Sequence, residues 1–144
     1  MIDLLLGSSV LVAAMMGSAA GQDVFDELRW KHRIVLIFAD ELNQPASHQL
    51  HDLETRQAEI DDRDLVIITV AGNSVESHTG LQHLPTAKDL RTRFAVKRNT
   101  PFMVLLLGKD GHEKLRENNP VSADSLFALI DSMPMRQQER REQD

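Results

Sequence analysis

The sequence contains no cysteine and no tyrosine, and it has a single tryptophan. Without cysteine the chain has no disulfide, no thiolate nucleophile, no iron–sulfur ligation and no cysteine-based zinc site. Positive charge is also in short supply: 16 Lys and Arg stand against 22 Asp and Glu, a net charge of −6. That balance gives no electrostatic ground for binding nucleic acid or an anionic membrane surface. What is present is an apolar fraction of 42%, enough for a packed core and too high for a disordered chain. At 144 residues there is room for one ordinary domain.

From Leu4 to Ala20 the chain carries no charge, and Ser18 and Ala20 precede Gly21. An apolar stretch closed by small residues two apart reads as a secretory signal peptide, cleaved after Ala20. Asp3, and the lack of Lys or Arg before the run, depart from the usual basic start. The alternative is a membrane anchor through residues 4–20, although the run is short and rich in Gly, Ala and Ser for a spanning helix. The reading is therefore a signal peptide over 1–20, a domain over 21–135 and a charged, solvated tail over 136–144. It places the mature protein in the periplasm or outside the cell, clear of the membrane, with an envelope or extracellular protein as the class of partner.

Within the domain, Val24, Phe25, Leu28 and Trp30 form a short amphipathic lead-in, with the Trp30 ring expected to close one edge of the core. Ile34 to Phe38 is a continuous apolar run of strand length, as expected for a strand buried on both faces. Ala46, Leu50, Leu53 and Ile60 follow a helical period, predicting one helix over about Asn43 to Ile60 with Pro45 in its first turn. Leu65 to Val70 is a second buried strand, and Ala71 to Pro85 reads as a long mobile loop. Thr86 with Asp89 caps a short helix ending near Phe94. Phe102 to Leu107 is a third strand, and Asp110-Gly111 signals a two-residue hairpin into a partly exposed strand over His112 to Arg116. Ser122 caps the last helix, in which Leu126, Leu129, Ile130 and Met133 share a face and Pro134 sets the limit.

This order, β-α-β-α-β-β-α, predicts an α/β fold of thioredoxin-like type: a four-stranded mixed sheet with helices on both faces. In that arrangement chemistry is placed after the first strand, here Ala39 to Ser47, where no thiol is present. Thr100-Pro101 precedes the third strand, where such folds place a cis-proline; Pro101 is the candidate on that analogy.

Three segments carry a family resemblance. Phe25-Asp26-Glu27-Leu28-Arg29-Trp30-Lys31-His32-Arg33 running into the first strand resembles the opening motif of the domain-of-unknown-function family numbered 4174. Gly108-Lys109-Asp110-Gly111 followed by Lys114-Leu115-Arg116 resembles its hairpin signature, with His112 where many members carry Gly. Ile130-Asp131-Ser132-Met133-Pro134-Met135-Arg136 with Glu139 resembles its closing motif. The resemblance implies a bacterial exported member, a thioredoxin-like, peroxiredoxin-related fold and an uncharacterised function. It implies no redox activity, because the chain has no cysteine to carry it.

The candidate site residues follow from the same segments. Lys109, Asp110, Lys114 and Arg116 lie on or beside the hairpin, and with Arg136 they form a candidate anion or carboxylate site. The plainer reading is a tight turn with solvated cations. His48 and His51 lie one turn apart beside Asp52, but a metal needs a third ligand and supporting partners; His78 and His83 fall in the loop. Asp61, Asp62 and Asp64 lack the glycine and distal glutamate of a calcium loop. Ser8, Ser9 and Ser47 have no nucleophile-elbow context, and no glycine-rich phosphate loop follows a strand. No metal and no cofactor are expected. The leading functional reading is a non-catalytic binding or interaction module. The alternatives are a degenerate or partner-dependent oxidoreductase-type enzyme, and a small-anion binder using Lys109, Arg116 and Arg136. Mass spectrometry of the native protein is expected to find an N-terminus near Gly21; an intact Met1 in the cytosol contradicts export.

Overall fold

A computed structural model describes residues 23–144, so the expected signal segment lies outside the described residues. The elements are α1 (Val24–Leu28), β1 (Arg33–Ala39), α2 (Gln44–Glu54), α3 (Gln57–Asp62), β2 (Leu65–Ala71), β3 (Ser74–Ser77), α4 (Ala87–Phe94), β4 (Met103–Leu107), β5 (Glu113–Glu117), α5 (Ala123–Asp131) and α6 (Pro134–Gln143).

The five strands form one mixed sheet in the order β3-β2-β1-β4-β5. β1 runs parallel to β2, with Val35 opposite Ile67, and antiparallel to β4, with Val35 opposite Leu106. β3 and β5 are antiparallel edges on β2 and β4. Every residue of β1 is buried, because both faces of the sheet are covered. Val35 and Ile37 pack with Leu53 of α2, Ile60 of α3 and Leu126, Phe127 and Ile130 of α5. Ile34, Leu36 and Phe38 pack on the other face with Phe25 and Leu28 of α1 and Leu90 of α4. The unbroken apolar run of β1 is thus two alternating half-patterns, each facing its own core.

Three helices, α2, α4 and α5, start on side-chain caps, of which Thr86 and Ser122 are the ones expected from the sequence. Asn43 accepts from the Ala46 amide, Thr86 from that of Asp89 and Ser122 from that of Ser125. Each satisfies a first-turn amide that the helix cannot pair itself.

Several expectations are corrected. The sheet has five strands, not four; the fifth is β3, a short polar edge strand inside the segment read as a mobile loop. The helix expected over Asn43 to Ile60 is two helices, broken at Thr55 and Arg56. The hairpin turns through Gly108 to His112, where a two-residue turn was expected, and the ladder carries a register shift between Leu106 and Leu107. Trp30 is 62% exposed and does not close the core. No cis peptide bond occurs among the described residues, so Pro101 is trans; its carbonyl accepts from Asn43 Nδ2 at 2.7 Å. Residues 136–144, read as a charged, solvated tail, are mostly exposed but lie, as far as Gln143, in α6, which Pro134 begins instead of limiting, with Arg136 buried and Glu139 half-buried. Proline suits the first helical position because its missing amide would have been unpaired there anyway.

Candidate functional site

Two charged residues on α6, Arg136 and Glu139, are three apart and so share one face of the helix. Arg136 is 2% exposed. Its Nη2 donates to Asp62 Oδ2 at 2.5 Å, its Nη1 to the Asp62 carbonyl at 2.9 Å and its Nε to Asp131 Oδ1 at 3.1 Å. Glu139 accepts from both terminal nitrogens of Arg33, at 3.1 and 3.2 Å, and from Lys109 Nζ at 2.6 Å. Lys109 also donates to Asp64 at 2.9 Å, and Arg63 reaches Asp131 with two bonds at 2.9 and 3.1 Å. Four cations and four carboxylates from β1, the end of α3, the α3–β2 turn, the hairpin, α5 and α6 therefore form one network. Asp62 and Asp64, weighed above as calcium ligands, are taken up by Arg136 and Lys109.

Burial acts against ionisation of Asp131, Arg136 and Glu139, but their ion pairs outweigh it. Burial pushes the Glu139 carboxyl up, and the hydrogen bonds from Arg33 and Lys109 bring it below its ordinary value. Asp131 is treated the same way, with Arg63 and Arg136 as its cations.

A cleft of about 430 Å³ opens beside the network. One wall is the hairpin turn, with Gly108, Lys109, Asp110 and Lys114; the other is the α5–α6 corner, Ser132 to Met135, and Arg33 also lines it. The Lys114 and Asp110 side chains fold over Gly108, where a Cβ would lie 2.7 Å from Lys114 Cε and 2.9 Å from Asp110 Oδ1 and would push these flexible ends aside. Arg33 is 1% exposed, and its Nε is a buried donor with no hydrogen-bond partner. Buried polar groups are rarely left unpaired without a reason. The N-terminus of α6 also lies at the cleft and receives no side-chain cap. Of the exposed large apolar side chains, Met135 lines the cleft, and Trp30 adjoins it through its amide, which donates to the Lys109 carbonyl at 2.6 Å. Trp30 has φ +68°, a left-handed backbone that a bulky side chain adopts only under constraint.

The sequence-predicted residues therefore separate. Lys109 and Arg136 meet at Glu139, while Arg116 lies at the far end of the hairpin, held by Glu113 at 2.6 Å and the Phe94 carbonyl at 2.6 Å. Lys114 pairs with Asp110 at 2.8 Å. A single anion site formed by Lys109, Arg116 and Arg136 is not what the chain builds, because each cation already has a carboxylate. Neither Lys109 nor Arg136 is solvated. Trp30, weighed as a surface contact beside Lys31 and Arg33, was expected in the core instead, and Met135 was not singled out. His48 and His51 are exposed on α2. His78 is packed between Thr69, at 3.0 Å, and Glu54, at 3.2 Å.

The profile described as "Domain of unknown function (DUF4174)" matches residues 24–139. The chain belongs to the DUF4174 family. The match ends on Glu139, the carboxylate that joins Arg33 and Lys109, so the DUF4174 domain includes most of the helix read above as tail. No curated protein matches the chain. It is similar to a solved structure described as that of a malarial protein, with 22% identity over 69% of this chain and 94% of that one, at a TM-score of 0.49.

The network gives a signed pH dependence. Glu139 and Asp131 have folded values below their ordinary 4.5 and 3.8. Their contribution is therefore complete above the ordinary carboxylate range and is lost as pH falls through it towards the folded values. Urea unfolding is expected to give a steady midpoint from neutral pH to about 5 and a falling one below. Glu139→Gln should cost about 3 kcal/mol at neutral pH by leaving Arg33 and Lys109 without their shared carboxylate. Its deficit should shrink in acid. A deficit that is the same at both ends of the range contradicts this account.

Proposed function

We propose that this DUF4174 domain is an exported, thioredoxin-like binding module that works without thiol chemistry. Its recognition surface on this reading is the cleft between the hairpin turn and the α5–α6 corner. The thioredoxin-like assignment is supported by the strand order β2-β1-β4-β5, with β1 and β2 parallel and the rest antiparallel; β3 adds an outer edge. Export is supported by the uncharged run from Leu4 to Ala20 and its small-residue end.

The observation that carries the binding reading is the unpaired Nε of Arg33, buried at a cleft lined by exposed Met135, with Trp30 joined to the cleft residue Lys109 through its backbone amide. A buried cationic donor wants an acceptor, preferably an anionic one. Arg33, Lys109 and Lys114 line the cleft with Asp110, and each is already paired with a carboxylate of the protein. Tryptophan and methionine are residue types enriched where proteins meet partners. The ligand that suits this mixture is a partner segment with a carboxylate next to apolar side chains. An oxidoreductase function finds less support: the loop after β1 offers Asp40, Glu41, Leu42 and Asn43 where a thiol would have to be, and Asn43 is engaged in capping α2 and binding the Pro101 carbonyl.

The test is amide NMR of the mature protein titrated with short peptides pairing Asp or Glu with Leu or Phe. Shifts are expected at Gly108 to Lys114 and Ser132 to Arg136, and at Trp30 Nε1. Trp30→Ala should abolish them without changing the fold. Peptide responses confined to other surfaces, or turnover of disulfides or peroxide above the protein-free rate, contradict the proposal.

A further inference from the structure

The two ends of β1 differ. Arg33 begins the strand at the cleft just described. Ala39 ends it about 20 Å away, at a rise of roughly 3.3 Å per residue. At that second end β2 finishes alongside it, with Ala71 opposite Ala39. Outside the carboxyl ends of parallel strands is where open α/β sheets most often take ligands.

A separate cleft of about 700 Å³ lies there, lined by Asn73, Lys88, Arg91, Thr92, Ala95, Val96, Lys97 and Arg98. Four of these carry positive charge and none carries negative charge. In a chain of net −6 that is a local inversion of sign. It is sharpened by what happens elsewhere. Apart from Lys31, Arg140 and Arg141, every Lys and Arg outside this cleft has a carboxylate within ion-pair distance among the described residues. Inside it, none of Lys88, Arg91, Lys97 and Arg98 does.

Arg91 is the anchor. It is 7% exposed, and its terminal nitrogens donate to the Gly72 carbonyl at 2.6 Å and the Ala39 carbonyl at 3.0 Å. These carbonyls lie at the ends of both parallel strands, so they hold the guanidinium rigidly without neutralising it. Burial, and then the like charge of Arg98, push Arg91 below its ordinary value, with Asp40 acting the other way. A buried cation held only by neutral dipoles is incompletely compensated, and an incoming anion would supply the missing charge.

We propose that this cleft binds a small organic phosphate, with Arg91, Lys97 and Arg98 on the phosphate groups and Val96 against the organic part. The volume is that of a small-molecule site. Guanidinium forks and ammonium point charges together suit tetrahedral, multiply charged oxyanions. A concave cleft in an otherwise acidic surface favours a compact ligand over a nucleic-acid strand, which would run on to repulsive ground. This site is independent of the peptide cleft at the other end of β1, so either can stand without the other.

The experiment is calorimetric titration of the whole protein with tripolyphosphate at low ionic strength, beside citrate and a single-stranded oligonucleotide. Tripolyphosphate is expected to bind more tightly than citrate, in a salt-dependent manner. The double variant Lys97→Gln with Arg98→Gln, both exposed positions, should weaken it by about tenfold or more, as expected for losing two charge-assisted contacts. The pair Lys31→Gln with Arg140→Gln, which removes the same net charge elsewhere, should leave it unchanged. No tripolyphosphate binding, equal weakening by both pairs, or an oligonucleotide that binds more tightly than tripolyphosphate would each overturn the proposal.

Discussion

Glu139 is the contact on which the surrounding arrangement depends. Its carboxylate takes two bonds from Arg33 at the start of β1 and one from Lys109 in the hairpin. Two cations buried to 8% exposure or less are thereby compensated by a group on the last helix. Removing a charge from water is costly, and mutual attraction offsets that cost only with good geometry and further hydrogen bonds. Here the geometry includes a forked Arg–carboxylate pair, and the network is formally neutral: Arg33, Arg63, Lys109 and Arg136 against Asp62, Asp64, Asp131 and Glu139. Such a network adds little net stability over an apolar core, but it fixes one position for α6, since a slipped helix would strand buried charge.

That fixed position builds the cleft. With α6 docked, Met133, Pro134 and Met135 face the hairpin turn across Arg33. The absence of cysteine gains meaning in this setting. On the proposed thioredoxin-like reading a thiol would be sought after β1, yet the unsatisfied groups lie elsewhere. One is the Arg33 Nε at the start of β1, and the other is the Arg91 cluster at its end. The first is a single donor atom without a hydrogen-bond partner, the second a group of cations without a carboxylate partner among the described residues, and neither is a nucleophile.

Much of this fold was legible in the residues. Buried strands announce themselves by continuous β-branched and leucine runs, as in Ile34 to Phe38 and Leu65 to Val70, and caps such as Thr86 and Ser122 locate helix starts. What escaped has a common physical cause. β3 is polar and lies at an edge, so Ser74–Ser77 shows no hydrophobic period. α6 is polar after Met135 and is held by ion pairs; hydrophobic patterning cannot reveal a helix whose buried residue is Arg136. The same blindness covers the site. Lys109, Asp110, Lys114 and Arg136 were visible as a charged group in the motifs, but which carboxylate each would meet depends on tertiary pairing. Asp62, Asp64 and Asp131 looked like turn and helix-surface residues. Arg33 looked like the polar flank of a strand, whereas it is among the most buried side chains.

The most direct test of this account is hydrogen–deuterium exchange at the amides of α6. An isolated ten-residue polar helix is marginal in water, so it exchanges almost freely unless something holds it. The account predicts that amides from Glu139 to Gln143 exchange far more slowly than an unstructured chain in the native protein, and that Lys109→Met or Glu139→Gln releases them while the β1 amides stay protected. Free exchange across α6 in the native protein, or protection that survives both substitutions, would contradict it.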